Sequence, residues 1–369
     1  MDLSLTSDDP ATVDLKPLRT ASYASGRVWF VMEDLPMQVL IRSVGVATLA
    51  ALLTACGGGG PSSSNVPNLG FAANVPLDDT QRALQMIDPM AATPAGRLYV
   101  SNFSGRNVLV FATAHGNALL SVITGGGMTN PVNPALDATG KLYVPNGGPS
   151  NMGQHTVSVF DTANDNAPLA PVVVGKSGPP QVPIAVAVGA GKLYVASTGA
   201  DGFGSHRLMV YSTAPRHERL QAVDGADLDG PFALAVGTSG KLYVANKTNN
   251  TVSIFDTLDG NEPLAQISDS SLNGPDGITI SAGGLLYVAN GADNSVSVFD
   301  TTNAYARVAI ITGGGLTGPN GIAIDSGGKL FVANTGANSI SVFDTLHGNA
   351  AQTPITGSGL NSPDGLAVH

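Results

Sequence analysis

One segment of this chain is repeated six times. Its sequence is Gly-Lys-Leu-Tyr-Val-Ala-Asn or a close variant, and the copies begin 44 to 51 residues apart, at Gly96, Gly140, Gly191, Gly240, Gly284 and Gly328. Each copy is followed by a second alternating apolar segment, a weaker apolar stretch, a loop rich in glycine and proline, and another short apolar run. Self-similarity at a fixed period predicts that one supersecondary unit is stacked repeatedly.

Each repeat contains four candidate β-strands. Residues 242–245 and 252–255, for example, are rich in β-branched and aromatic residues and are flanked by turn residues. Four strands in a period of 44 residues are typical of a propeller blade, whereas a solenoid would have a shorter period and fewer strands. We therefore predict an all-β fold, a β-propeller of four-stranded blades. We label the strands A to D from the central channel outward, with the Leu-Tyr-Val segment as strand B.

The sequence allows two blade numbers. Residues 363–369 form a seventh strand A without a strand B after it, and residues 74–80 and 83–87 could supply strands C and D. We expect six complete repeats plus a composite seventh blade closed by the N- and C-terminal strands, which would leave no open sheet edge in the ring. Six blades with spare terminal strands is the alternative.

Composition agrees with such a fold and excludes one class of partner. The chain has 46 Gly and 24 Pro, is 43% hydrophobic and is only 12% charged, so it is rich in turns but apolar enough to bury a core. Its net charge of −10 argues against a nucleic-acid partner, because phosphates need a cluster of cations. We expect a monomer.

The N-terminal part has the pattern of a secretory signal. Arg42 precedes an apolar run at residues 43–53, which is too short to span a membrane and ends in small residues before Cys56. A buried helix ending in a free cysteine is the alternative. We expect translation to start at Met37, or at Met32. The expected organisation is an upstream segment (1–36), a signal peptide (37–55), a Cys and flexible linker (56–70) and the propeller (71–369).

The sequence Leu-Thr-Ala-Cys at residues 53–56 resembles the lipobox of bacterial lipoproteins. This resemblance implies cleavage before Cys56 and lipidation of Cys56, so that the membrane is contacted through a lipid anchor only. Gly57 stands where an Asp would retain the protein at the inner membrane. We therefore expect an outer-membrane anchor, with the propeller in the periplasm or at the cell surface.

The repeats resemble the YVTN and NHL families of propeller repeats. Residues 286–301, LYVANGADNSVSVFDT, are similar to a complete YVTN unit, and the likeness extends over residues 89–369. The resemblance implies the propeller fold. It does not imply one activity, because these families include surface proteins and binding platforms as well as lactonases and lyases.

Two repeated polar positions are candidates for chemistry, but local structure explains them better. Strand C ends in Phe-Asp-Thr, and strand B ends in Asn. Asp and Asn side chains commonly bond to nearby backbone amides, so we predict turn capping at both positions. The residues are Asp161, Asp256, Asp300 and Asp344 after strand C, and Asn102, Asn146, Asn246, Asn290 and Asn334 after strand B.

A third polar position lies in the loops from strand D to the next strand A. Asp276, Asn320 and Asp364 occur there in Pro-Asp-Gly or Pro-Asn-Gly sequences. In a propeller these loops surround one mouth of the channel, and a ring of oxygen atoms there could hold a ligand or a cation. The same sequences are also turn signals, so a purely structural role is the alternative.

The second and third repeats have longer B–C loops than the others. They span residues 147–155 and 198–206, and the D–A connection around residues 176–182 is also lengthened. All three insertions are expected on one sector of one face, which could form a binding face with His155, Asp201, Phe203 and His206. Two histidines could bind a transition metal, but no third ligand is evident, and longer solvated loops are the simpler interpretation.

The sequence favours binding over catalysis. Beyond the predicted signal peptide it has only two Glu, Glu218 and Glu262, both after a strand C, whereas propeller lactonases use a Glu/Asn/Asp set in the channel. It has no nucleophile elbow and no phosphate loop, so we predict no catalytic residues and no cofactor. The leading hypothesis is an envelope-anchored platform for a protein or glycan. The alternatives are a lactonase-type hydrolase or lyase with a cation at the channel mouth, and a degenerate propeller without a partner.

Overall fold

The computed structural model describes residues 96–369, except residues 115, 148–154, 176–180, 199–203 and 226–227. It also describes a short antiparallel hairpin, Ala21–Ala24 and Arg27–Phe30. The predicted signal peptide, Cys56 and the linker lie outside the described residues, and so do the segments proposed for a seventh blade at residues 74–80 and 83–87.

Within the described residues, the repeats form six four-stranded antiparallel blades in which strands A to D are neighbours in that order. In blades 1 to 6, strands A are Pro363–Val368, Ala135–Leu136, Val182–Gly189, Pro231–Val236, Pro275–Ile280 and Pro319–Ile324. Strands B are Arg97–Asn102, Lys141–Pro145, Lys192–Thr198, Lys241–Asn246, Leu285–Asn290 and Lys329–Asn334. Strands C are Asn107–Ala112, Thr156–Asp161, Gly204–Ser212, Thr251–Asp256, Ser295–Asp300 and Ser339–Asp344. Strands D are Leu119–Ile123, Ala167–Val173, Val223–Asp224, Glu262–Ser268, Ala306–Thr312 and Ala350–Thr356.

The last strand of the chain closes the ring. Pro363–Val368 pairs with Arg97–Asn102, the strand B of the first repeat, before which the described residues contain no strand A. The expected composite seventh blade is therefore wrong. The ring has six blades, as in the alternative, but its C-terminal strand is part of the ring and not spare. Asn102 strengthens this closure, because its Nδ2 donates to the Gly359 carbonyl and its Oδ1 accepts from the Asn361 amide. The Nζ of Lys329, in blade 6, also donates a hydrogen bond to the Thr113 carbonyl, which follows strand C of blade 1.

The hydrophobic core lies between blades. The buried residues form a separate cluster at each of the six interfaces between described blades. At the interface of blades 4 and 5, for example, Tyr243 of one blade packs with Leu286 and Phe299 of the next. The Tyr of strand B and the Phe of strand C therefore fill the gaps between blades, as predicted from their size, and neighbouring blades stabilise each other.

The repeated Asp and Asn residues have structural roles, as predicted. Asp256, Asp300 and their equivalents accept hydrogen bonds from backbone amides two residues later. The threonine hydroxyl of the same motif donates to a glycine carbonyl in the A–B turn. Asn290 connects three segments, since its Nδ2 donates to Ser295 and Ser297 and its Oδ1 accepts from the Asn273 amide.

The strand order places the B–C turns and D–A loops on one face of the propeller, which we call the mouth face. The A–B and C–D turns lie on the opposite face. Two short 3₁₀ turns occur among the described residues, Thr335–Ala337 and Thr345–His347. No helix in the described part of the chain combines the length and the apolar character needed to cross a membrane.

Candidate binding site at the channel mouth

Each strand A enters the channel through a proline that lies opposite the end of strand B. Pro275 pairs with Asn290, and equivalent pairs occur in the other blades. The register of blades 1, 3, 4, 5 and 6 then shifts, so the residue after this proline is not paired in the ladder. A bulge of this kind redirects a side chain. The Pro-Asp-Gly sequences are therefore the first residues of inner strands, not turns between strands.

The residues after these prolines form a ring that we call the mouth ring. One half is polar and comes from blades 5, 6 and 1, with Asp276, Asn320 and Asp364. The other half is apolar and comes from blades 2, 3 and 4, with Val132, Ile184 and Phe232. The ring is therefore chemically two-sided, although the backbone around it is nearly symmetric.

Glycines bring the three polar residues together. A Cβ on Gly277 would strike the backbone of Asn320, and a Cβ on Gly321 would strike the backbone of Asp364. Blades 3 and 4 have Ala185 and Ala233 at this position. The inner strands of blades 5, 6 and 1 thus approach so closely that only glycine fits, and this places Asp276, Asn320 and Asp364 side by side.

Two contacts organise the polar half. The Nδ2 of Asn320 donates to the Oδ2 of Asp364 at 3.1 Å. The Nζ of Lys247, from the B–C turn of blade 4, lies 2.5 Å from the Oδ1 of Asp276 and 4.4 Å from the ring centroid of Phe232. The Lys247 side chain is 44% exposed, whereas that of Asp276 is 13% exposed. One ammonium thus links the polar half of the ring to the apolar half.

Burial makes the two carboxyl groups costly to ionise. It raises the pKa of Asp364 to about 7, with a further contribution from the negative charge of Asp276, while Lys247 and the Asn320 amide oppose the shift. Burial also raises the pKa of Asp276, against the effect of Lys247. Above the pKa of Asp364 the pair carries two carboxylates beside one ammonium, a net negative charge in a partly desolvated place.

One acceptor in the polar half has no donor. The Oδ1 of Asn320 is buried and has no hydrogen-bond partner among the described residues. A buried polar atom without a partner costs free energy, so a ligand that donates a hydrogen bond there would gain affinity. Across the part of the chain that the structure describes, no three His, Cys, Asp or Glu side chains lie together as a metal site would require.

The side chains along the rest of the channel are mostly apolar, with Thr279 as a polar exception. The last residues of the inner strands line a cavity of about 250 Å³. Its lining includes small residues such as Ala187 and Ala323 and branched aliphatic residues such as Val236 and Ile280. The carboxyl groups of the channel are therefore concentrated at the mouth ring.

The predicted binding face around His155 is described only in part. His155 lies directly before strand C of blade 2, and its Nδ1 is buried without a partner among the described atoms. His206 lies within strand C of blade 3, so the expected loop at residues 198–206 is wrong at both ends: Thr198 pairs with Gly204 and extends the hairpin. Asp201, Phe203 and the side chain of His206 lie outside the described part, so the choice between a two-histidine metal site and the preferred longer solvated loops is not tested.

Sequence reasoning did not identify Lys247 or Phe232. Lys247 occupies the place of Gly291 in blade 5 and Thr335 in blade 6, and Phe232 occupies the place of Asp276. Aligning the repeats position by position would have shown both as departures from the pattern. What the alignment lacks is the bulge, which leaves Phe232 unpaired in the ladder, where the ammonium of Lys247 lies over its ring.

Residues 316–343, which run from the D–A loop before blade 6 to its strand C, match the NHL repeat family. The chain carries an NHL repeat. The match, together with six blades of the same design, agrees with the YVTN/NHL resemblance of the sequence. No curated protein sequence matches the chain significantly.

Solved structures similar to this NHL-type propeller have different functions. A chain of a nidogen/laminin complex aligns with a TM-score of 0.61 and 13% identity, over 74% of this chain and 98% of that one. A putative 6-phosphogluconolactonase from Bacteroides fragilis has a TM-score of 0.53 and 19% identity, over 74% and 84%. Hydrazine synthase from Kuenenia stuttgartiensis has a TM-score of 0.52 and 17% identity, over 73% and 86%. At these identities the similarity concerns the fold alone.

Proposed function

We propose that the protein is a non-enzymatic binding module that holds its partner, a protein or glycan, on the mouth face. The observation that supports this most is the two-sided mouth ring, in which Lys247 joins Asp276 to Phe232. Charged groups beside an apolar wall, at the entrance of a rigid channel, provide both orientation and contact area for a ligand.

The ion pair between Lys247 and Asp276 also argues against the lactonase-type alternative. A divalent cation at Asp276, Asn320 and Asp364 would have to displace the ammonium of Lys247 from Asp276, and it would find two carboxylates and one amide oxygen. Calcium in proteins takes six to eight oxygen ligands, so this set would depend on water and backbone for about half of them. The structural similarities favour neither function.

A site-specific photo-crosslinker can test the proposal. Ala292, in the B–C turn of blade 5, is exposed on the mouth face, and Ser326, in the A–B turn of blade 6, is exposed on the opposite face. With p-benzoylphenylalanine introduced at either position in the full chain in cells, we expect a discrete crosslinked partner from position 292 and none from position 326. Equal crosslinking from both, or from neither, would contradict a mouth-face binding module.

The enzymatic alternative can be tested with the same protein. Lactone hydrolysis that requires calcium, and that is lost in D276N and in D364N but retained in D259N, would replace the binding proposal. Asp259 is a matched control because it is an exposed aspartate in the C–D turn of blade 4. We expect no difference among these variants and no calcium requirement.

We further propose that the propeller is held at the outer membrane through a lipid on Cys56. The support for this is the sequence around residues 43–56 alone. Metabolic labelling with a palmitate analogue should label the wild type, and C56S should be unlabelled and should leave the membrane fraction. Labelling of C56S would refute the anchor without affecting the mouth-face proposal.

A further inference from the structure

We propose that the mouth ring binds a primary ammonium group on an alkyl chain, such as a lysine side chain of the partner, and that this group takes the place of Lys247. This inference rests on the proposed function and specifies the chemistry that the site recognises. Asp276, Asn320, Asp364 and Phe232 would contact the bound ammonium group.

The first support is the balance of charges and hydrogen bonds. Above about pH 7, Asp276 and Asp364 supply two carboxylates, and among the described residues Lys247 supplies the ammonium that contacts Asp276 and lowers the pKa of Asp364. The buried Oδ1 of Asn320 is an acceptor without a donor. The groups available at the ring are therefore acceptors, and the ligand that complements them is a cation with several N–H donors. An ammonium has three such donors.

The second and independent support is that an ammonium already lies in the site. The Nζ of Lys247 contacts the Oδ1 of Asp276 and lies 4.4 Å from the Phe232 ring centroid, so carboxylate and aromatic face bind it together. Lys247 comes from an exposed turn and has a flexible side chain that can move into solvent. It acts as an internal competitor that a ligand must displace.

The apolar half of the ring suits the alkyl chain of such a ligand. Val132 and Ile184 follow Phe232 around the mouth, and none of the three has a polar side-chain atom. A straight alkylamine can place its nitrogen towards Asp364 and Asn320 while its methylene groups lie against this wall. Hydrophobic contact then adds to the charge interaction without a further polar group.

The site predicts a definite pH dependence. The described charged groups that act on Asp364 are Asp276, which raises its pKa, and Lys247, which lowers it. A bound ammonium favours ionised Asp364, so binding below the pKa of about 7 requires the loss of a proton from this carboxyl. Affinity should therefore rise with pH up to about 7, by about tenfold per pH unit, and be constant above it.

The test is calorimetric titration of the full chain with n-pentylamine at pH 8, with pentan-1-ol as the neutral control ligand. We expect K247M, which lacks the internal competitor, to bind the amine about tenfold more tightly than wild type. D364N should bind it about tenfold more weakly than wild type. K141M, altered at a lysine that begins strand B of blade 2 on the opposite face, should match wild type.

Two results would overturn the inference: equal affinity of the amine for wild type, K247M and D364N, or binding of pentan-1-ol as tightly as the amine. D364N replaces a carboxyl by its neutral isostere, so it keeps the test decisive if K247M does not fold. The two proposals fail separately. Crosslinking at position 292 without amine binding would reject only the ligand class, whereas amine binding without a crosslinked partner would reject the platform function.

Discussion

At the scale of single residues, equivalent positions in the six blades have different freedom to vary. Tyr243, Tyr287 and their equivalents are buried between blades, so packing fixes their identity. The bulged residues of the mouth ring are not paired in the ladder, and they range from Phe232 to Asp276. The positions whose residue type differs most between blades are therefore those where core packing does not fix the side chain.

Asp364 should make stability fall as pH rises. In the unfolded chain its carboxyl ionises near pH 4, whereas in the folded state it keeps its proton up to about pH 7, so the folded state binds more protons in this range. D364N removes this effect and should be more stable than wild type by about 1–3 kcal/mol at pH 8, with little difference at pH 4. Urea unfolding at both pH values measures it. D259N should show no gain, and a D364N variant less stable than wild type at pH 8 would contradict the assignment.

The asparagine at the end of strand B should contribute more to the free energy of unfolding than an exposed polar residue does. Asn334 is fully buried, donates to Ser341 at 2.9 Å and accepts from the Thr317 amide at 2.9 Å. N334A leaves these groups without partners and should cost about 2–3 kcal/mol of unfolding free energy. N303A, at an exposed turn position, is the control and should cost almost nothing. Similar losses in the two variants would show that the asparagine only shapes a turn.

At the scale of strands, the approach of neighbouring inner strands determines where the site can form. The glycine after Asp276, Asn320 and Asp364 lets each inner strand lie against the backbone of the next. The sequence showed the Pro-Asp-Gly pattern and its location at the mouth, but a turn explains that pattern equally well. Only the register of strand A against strand B distinguishes a turn from a bulge, and register depends on contacts that a single repeat does not contain.

Gly321 provides a direct test of this close approach. A Cβ there would collide with the backbone of Asp364 and Gly365. G321A should therefore destabilise the protein by about 2–3 kcal/mol, because the backbone of the neighbouring strand must move. Gly327, in the A–B turn of the same blade, meets only the Asp325 side chain, so G327A should be nearly neutral. Denaturant midpoints of the two variants give the comparison, and equal midpoints would mean that the strands can separate freely.

At the scale of the whole molecule, the sequence predicted the blades but not their number. Counting strands gave a surplus strand A at residues 363–369, and that surplus suggested a seventh blade. The first repeat begins at strand B, however, so its inner edge along Arg97–Asn102 needs a partner, and the last strand of the chain supplies it. The strand with which a terminal strand pairs, and so the number of blades, depends on the curvature of the assembled ring. No local pattern in the sequence records that curvature.

The closing strand should contribute as much to stability as the inner strand of a blade whose four strands are consecutive in sequence. Leu366, in the closing strand, and Ile322, at the same position of blade 6, are 6% and 5% exposed. L366A and I322A should each cost about 2–4 kcal/mol, as is usual for removing a large aliphatic side chain from a core. Equilibrium unfolding of the two variants tests this. A loss for L366A below half that of I322A would indicate that the ring opens at blade 1 before the other blades unfold.

The pairing of Pro363–Val368 with Arg97–Asn102 also determines when blade 1 can form during synthesis. Ribosomes make Arg97–Asn102 long before Pro363–Val368, so blade 1 stays unfinished until the intervening repeats have been synthesised. A chain that stops before residue 363 would expose the backbone of Arg97–Asn102 along an apolar edge, where another chain could pair with it. The closing strand is therefore needed to cover this edge, because only a copy that contains both strands can pair Arg97–Asn102 within its own ring.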